Sequence, residues 1–345
     1  MVNLGMIGCG YWGPNLLRNF LTLHNCHVLL VAESDDSRLK YLNEKFPAIT
    51  TTKDYRELLN GSIDAVVIAT PASTHFQLAK EALERNKHVL VEKPLAMNVQ
   101  EAKALIRLAQ KHRRKLMVGH TFEYNEAVRA LKRYIQSGEI GRLYYLYSQR
   151  LNFGIVRRDI NALWNLAPHD ISIVLYLLEQ MPVSVSAKGV DFLQKGIEDV
   201  VFMVLHFPKG VIAHVQVSWL DPGKVRRMTV VGSDRMIVYD DLSDAKIKIF
   251  DKGIKKKNMN ASLGRYDDFG RFQSIKSAGD VVLPKIDFTE PLQTECAHFI
   301  ECIEEDKKIL TDAENGLRVV RVLEAARRSM RLNGKNVSIS SLYRK

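Results

Sequence analysis

Residues 2–20, VNLGMIGCGYWGPNLLRNF, join a short apolar run to a glycine-rich turn and then to a segment in which Leu16, Leu17 and Phe20 fall on one helical face. Strand, Gly8-x-Gly10-x-x-Gly13, helix is the order of a dinucleotide-binding turn. The first glycine permits the tight turn, the second lets backbone approach a pyrophosphate, the third lets helix and strand pack closely, and the helix N-terminus supplies positive potential. Glu33, 25 residues after Gly8, closes the next apolar run, where a carboxylate accepts ribose hydroxyls. That carboxylate repels a 2′-phosphate, so the expected cofactor is NAD rather than NADP. Arg38 either stacks on adenine or meets such a phosphate.

Outward from this turn, apolar runs alternate with amphipathic stretches. HVLLVAE, DAVVIAT, HVLVEK and KLMVGH read as further strands, and PNLLRNFLTLH, DSRLKYLNEKF, THFQLAKEALERN and NVQEAKALIRLAQKH as helices between them. This pattern predicts a doubly wound parallel Rossmann sheet covered on both faces, over 1–121. Beyond 121 the character changes. A helix near 124–137, a strand at 143–152 and a helix beginning around NLAPHD precede strand-like segments from 183 to 250, separated by PKG, DPG and GSD turn signals. An open, mostly antiparallel sheet in a second α/β domain, 122–345, is expected, with a long loop at 251–285 and closing helices at about 291–306 and 313–332.

The 345 residues, 46% hydrophobic and 26% charged, suit two globular domains. The start lacks a basic, cleavable leader and no uncharged apolar run is long enough to span a bilayer, so a soluble, cytoplasmic protein is expected. Cys9, Cys26, Cys296 and Cys302 have no metal-ligand or CxxC spacing and are expected as reduced, mostly buried thiols, with no metal site. A net charge of +11 invites an anionic partner. The densest runs, KHRRK at 111–115 and KKK at 255–257, lack interleaved aromatics and read as solvated surface, so neither nucleic acid nor membrane is expected as a partner.

Two residues stand out for chemistry. Lys93, in EKP at 92–94, follows a strand at the carboxyl edge where ligands of doubly wound folds sit, and Pro94 fixes its backbone. His169, in WNLAPHD at 164–170, is either a helix-terminus fixture or a working acid/base. If it is structural, Asn165 caps the helix, Pro168 sits in the first turn, and Ile171, Val174, Leu175 and Leu178 form the buried stripe.

Taken together, GCGYWG, IATPASTH at 68–75, VEKP at 91–94, GHTFEYNEAV at 119–128 and the histidine opening a second-domain helix resemble the Gfo/Idh/MocA oxidoreductase family over nearly the whole chain. The resemblance implies a Rossmann domain followed by an α/β domain with an open sheet, a homo-oligomer (dimer or tetramer) assembled through that sheet, and hydride exchange between nicotinamide and a sugar or polyol. It implies Lys93 and His169 as catalytic residues, either being the base, with Asn165 where the family commonly has aspartate. The cofactor set it implies is Gly8, Gly10, Tyr11, Trp12, Gly13, Glu33, Arg38, Thr70, Pro71, His75, Glu92, Lys93 and Trp164.

The segment QRLNFGIVRRDINALWNLAPHD, 149–170, with EPLQTECAHFIECI and LTDAENGLRVVRVLEAARRS, resembles the UDP-N-acetylglucosaminuronate 3-dehydrogenases of that family. Arg150, Arg157 and Arg158 offer charge-assisted recognition of a diphosphate or uronate, and Asn152, Asn161 and Asn165 neutral contacts to hydroxyls. Lys93, Tyr124, Asn125 and His169 complete the expected substrate set. The function expected is oxidation of the 3-hydroxyl of a nucleotide-activated amino sugar. An NADPH-dependent ketoreductase, an inositol or free-sugar dehydrogenase, and a non-catalytic dinucleotide sensor are the alternatives.

Overall fold

The computed structural model describes residues 1–154, 156–252 and 279–342. The basic run at 255–257 and most of the expected loop at 251–285 lie outside the described residues. The chain divides into two compact units, one of residues 1–125 and 289–324, the other of residues 126–288 and 325–345. The expected single division after 121 therefore differs from the packing: residues 289–324 return to the first unit.

In the first unit β1 (Val2–Ile7), β2 (Cys26–Ala32), β3 (Thr50–Thr52), β4 (Ala65–Ile68), β5 (His88–Glu92) and β6 (Leu116–Gly119) form a parallel sheet in the order β3-β2-β1-β4-β5-β6. All of β4 and β6 is buried, which is why these strands read as unbroken apolar runs. Helices α1 (Gly13–Leu21), α2 (Asp36–Lys45), α3 (His75–Glu84) and α4 (Val99–His112) connect them. The three-residue β3 is too short and polar for its sequence to announce it. Further along the chain, α7 (Pro291–Glu304) rejoins this unit because Leu292, Cys296, Phe299 and Ile300 belong to the same core as Leu4, Leu16, Phe20 and Leu90.

The second unit holds α5 (Glu126–Gln136), β7 (Leu143–Phe153), α6 (Ala162–Leu178), β8 (Ser184–Val190), β9 (Val200–His206), β10 (Ile212–Ser218), β11 (Leu220–Gly232), β12 (Met236–Asp240), β13 (Ile247–Phe250), β14 (Val281–Val282), β15 (Val337–Ser338) and α9 (Ile339–Leu342). Its nine-stranded sheet runs β14-β13-β12-β11-β7-β10-β9-β8-β15 and is antiparallel except where β10 pairs β7. Buried and exposed positions alternate along β8 and β9, so one face is packed and the other is open. Helix α8 (Ala313–Arg331) contributes residues 313–324 to the first unit and 325–331 to the second.

No helix among the described residues is long and apolar enough to cross a membrane. The four cysteines are free, and burial pushes the thiols of Cys9 and Cys26 up to about 12. In the run at 111–115, Lys111 and Arg113 are exposed, whereas Lys115 is ion-paired with Asp306 at 2.6 Å.

Candidate active site

The glycine turn is shaped for backbone approach. Gly8 has φ +86°, and a Cβ there would lie 2.6 Å from the Thr70 methyl and 2.9 Å from the Ala69 carbonyl. A Cβ at Gly10 would meet nothing within 4 Å, which leaves that side open to a ligand. At Gly13 a Cβ would crowd the Gly8 carbonyl at 3.0 Å. Helix α1 begins without a side-chain cap; Pro14 has no N–H and the Asn15 N–H donates to the Trp12 carbonyl at 3.0 Å, so the turn itself, at Gly8 to Gly13, is where an anion approaches backbone. Glu33 reaches back into the turn: its Oε2 accepts the Cys9 N–H at 2.7 Å and its Oε1 accepts the Asp35 N–H at 3.1 Å. An open cradle with a carboxylate held beside it fits a dinucleotide. Arg38 is exposed in the first turn of α2, Tyr11 and Pro71 are exposed, and Trp12 is 39% exposed.

The loop after β4 and the strand end at β5 are tied together. His75 is buried, its Nδ1 2.7 Å from the Pro94 carbonyl and its Nε2 3.0 Å from the Thr70 carbonyl. Burial, together with the charge of Lys93, pushes the imidazole below its ordinary value against those two bonds. The Lys93–Pro94 peptide is cis. Lys93 is half-buried, and its N–H donates to Glu92 Oε2 at 3.2 Å. The Trp12 indole donates to the same carboxyl, joining the glycine turn to the EKP motif. Burial raises the Glu92 carboxyl, opposed by the Lys93 charge and these hydrogen bonds.

Around Lys93 lies a buried polar cluster that the sequence reading did not single out. Gly119 pairs with Glu92 across β5 and β6, which places His120 beside Lys93 as the chain leaves the two strands. A Cβ at Gly119 would stand 3.1 Å from the Glu92 carboxyl, so a larger residue there would push that carboxyl aside by a few tenths of an ångström. His120 Nδ1 is 2.7 Å from Asn315 Oδ1, and Asn315 Nδ2 donates to both oxygens of Glu123 at 3.0 and 3.1 Å. Thr121 donates to Glu295 Oε2 at 2.6 Å. Burial drives the His120 imidazole down to about 4, with the Lys93 charge pressing the same way. Glu295 is raised well above the usual carboxyl range by burial first and by the charge of Glu92 second. The available signal was a glutamate inside the apolar pattern of PLQTECAHFI and a histidine directly after a buried strand.

In the second unit Asn161, Trp164, Asn165 and His169 share α6. The helix starts before NLAPHD: Asn161 is the cap, its Oδ1 accepting the Trp164 N–H at 3.1 Å, and Asn165 lies inside with Pro168. The capping expected of Asn165 thus belongs to Asn161, whose Nδ2 also donates to Glu198 at 2.6 Å. Each end of the Asn161 amide thus makes one bond to protein, and the residue is half-buried. Of the expected stripe, Ile171, Val174 and Leu175 are buried and Leu178 is half-buried. Trp164 is buried, with the Arg327 guanidinium 5.5 Å from its ring.

Two residues expected to touch substrate are instead buried among protein partners. Arg150 is 5% exposed and its Nε is bonded to Asp170 at 2.6 Å, so the guanidinium serves a buried ion pair. Tyr124 is 1% exposed with its hydroxyl 3.2 Å from Thr311, inside the first unit's core. Asn125 is also buried. Arg157 chelates Asp159 at 2.8 and 2.7 Å, Arg158 is exposed, and Asn152 is half-buried. Among the described residues no group of His, Cys, Asp and Glu could hold a metal ion.

Comparison with known proteins agrees with this reading of the first unit. Residues 2–120 match the oxidoreductase family with an NAD-binding Rossmann fold, and residues 128–238 match the Gfo/Idh/MocA C-terminal domain. A UDP-N-acetylglucosamine 3-dehydrogenase of Acidithiobacillus ferrooxidans is 32% identical over 199 residues, 57% of this chain and 61% of that protein. The scyllo-inositol 2-dehydrogenase (NAD(+)) of Bacillus subtilis is 26% identical over 91% of this chain and 90% of its own length. A solved structure from Magnetospirillum magnetotacticum superposes with a TM-score of 0.79 at 29% identity, covering 94% of this chain and 99% of that one.

Proposed function

Because this chain belongs to the Gfo/Idh/MocA oxidoreductase family, we propose that it oxidises the 3-hydroxyl of a nucleotide-activated amino sugar. UDP-N-acetylglucosaminuronate or UDP-N-acetylglucosamine would yield the 3-keto sugar, with NAD as acceptor. The observation that carries the reading is the half-buried Lys93 at the carboxyl edge of the parallel sheet, tied through Glu92 and Trp12 to the open glycine turn. Gly8, Gly10 and Gly13 hold the pyrophosphate by backbone approach and Glu33 accepts the ribose hydroxyls, which favours NAD over NADP. Held by that turn, the nicotinamide would supply the hydride acceptor for carbon 3.

Lys93 Nζ takes the proton of the 3-hydroxyl as the carbonyl forms, so it must be neutral at that moment. Proton transfer to a positioned base is worth ~100- to 10,000-fold in rate. The roles expected of His169 and Asn165 toward that hydroxyl belong to the same proposal. Arg158 and Arg157 are the available cations for a diphosphate or uronate. The near-full-length likeness to an inositol dehydrogenase favours a polyol as the second reading. Assembly through the open face of the nine-stranded sheet, where Tyr145, Ile212 and Phe202 are exposed on β7, β10 and β9, completes the proposal.

The deciding experiment follows NADH formation from UDP-N-acetylglucosamine, its uronate, inositols and free sugars, with NAD and NADP offered separately. Turnover of the nucleotide sugars with NAD is expected. Equal rates on free sugars or inositols would overturn the nucleotide-sugar assignment, and a preference for NADP would overturn the reading of Glu33.

A further inference from the structure

His120 is a buried imidazole whose two nitrogens have been given different work. A carboxylate can only accept, so the Asn315 amide must turn its Nδ2 toward both Glu123 oxygens, which leaves Oδ1 for the histidine. Oδ1 is an acceptor, so His120 Nδ1, 2.7 Å away, must carry the proton. The lone pair is thereby fixed on Nε2, a buried atom with no hydrogen-bond partner among the described residues. Leaving such an acceptor buried is costly unless something takes its lone pair. It stands at the end of β6, next to the residue that follows β5, and that residue is Lys93.

We propose that His120 is a positioning residue for Lys93: its Nε2 lone pair takes one N–H of the lysine amine and so turns the lysine's own lone pair toward the substrate hydroxyl. This rests on the reading of Lys93 as the base. Asn315 and Glu123 act one step further back, by holding the tautomer, as outer hydrogen-bond partners fix the orientation of working histidines elsewhere. The charged groups around the ring are Lys93 after β5, Glu123 with Oε1 3.8 Å from Nδ1, and Glu92 and Glu295 nearby in the same cluster. Burial and the lysine charge both keep the ring neutral, and only the neutral ring has a lone pair to offer.

Histidine-selective isotope labelling tests this without substrate, with His120 assigned from the signal lost in His120→Gln. Wild type should show the Nδ1–H tautomer at pH 7 and titrate near 4. In Lys93→Met the midpoint should climb by ~1 on the pH scale, the size of effect of a neighbouring charge. An unmoved midpoint, or the Nε2–H tautomer, overturns the proposal. In turnover, His120→Leu should lower kcat ~10-fold or more with little change in KM, and His120→Gln, which retains an acceptor, should recover most of it; equal losses in the two also overturn it. Coupled His120 and Lys93 signals in a protein that turns over no nucleotide sugar would sink the substrate assignment alone.

Discussion

Two buried polar clusters, one in each unit, handle charge in opposite ways. Beneath β7, Arg150 and Ser148 both donate to Asp170, and the three residues are 5%, 1% and 3% exposed. Each acidic oxygen has a donor. Around Lys93, by contrast, Glu92, Glu295 and His120 are also buried, yet Oε1 of both glutamates and Nε2 of the histidine lack a hydrogen bond among the described residues. A closed pair holds a fold in register, whereas buried polar atoms left over beside a half-buried lysine are a common setting for proton chemistry. Asp170 directly follows His169, so the closed cluster also pins the helix that carries that histidine.

The contrast can be broken at four points. Lys93→Met should remove ~100- to 10,000-fold of turnover while NAD affinity, followed by fluorescence quenching, stays within a few-fold. Retained turnover would mean the open cluster is structural after all. Asp170→Ala should cost ~3–5 kcal/mol of unfolding free energy in urea, because a buried guanidinium loses its carboxylate. A loss below ~1 kcal/mol would show that the ion pair is not what closes this cluster.

Arg158→Ala should raise KM for a nucleotide sugar ~10-fold with kcat nearly unchanged, as uniform binding energy does. A change confined to kcat would remove Arg158 from the substrate's diphosphate. The smallest effect is expected from Glu295→Gln. Its folded carboxyl is raised above the unfolded value, so the native state holds a proton that the unfolded chain releases above about 4.5. Wild-type stability therefore falls as pH rises beyond that point, and the variant's melting temperature should fall less between pH 5 and pH 8. Parallel curves would refute the raised, protonated carboxyl at 295. His120 has the opposite slope, its depressed value removing stability as pH drops from the ordinary 6.5 toward 4.

The parallel sheet was legible because strands such as β4 and β6 are buried along their whole length and so read as unbroken apolar runs, while the polar, three-residue β3 gave no such signal. The glycine turn and Glu33 were legible because their chemistry is local, within one strand–turn–helix unit and the strand that follows. The start of α6 was misplaced by one turn since two asparagines, at 161 and 165, offer the same capping chemistry, and only the bond from Trp164 decides between them. Arg150 read as a substrate contact because its partner on α6 could not be known from spacing.

The chain by itself determined the layer architecture, the cofactor turn and the lysine at a strand end, all of which depend on residues within a helix or strand of one another. Only the tertiary structure decided which polar groups are closed and which are left open. His120 meets Asn315 across 195 positions and Thr121 meets Glu295 across 174. Burial, and with it the protonation of each group, exists only once β6, α7 and the start of α8 have packed together.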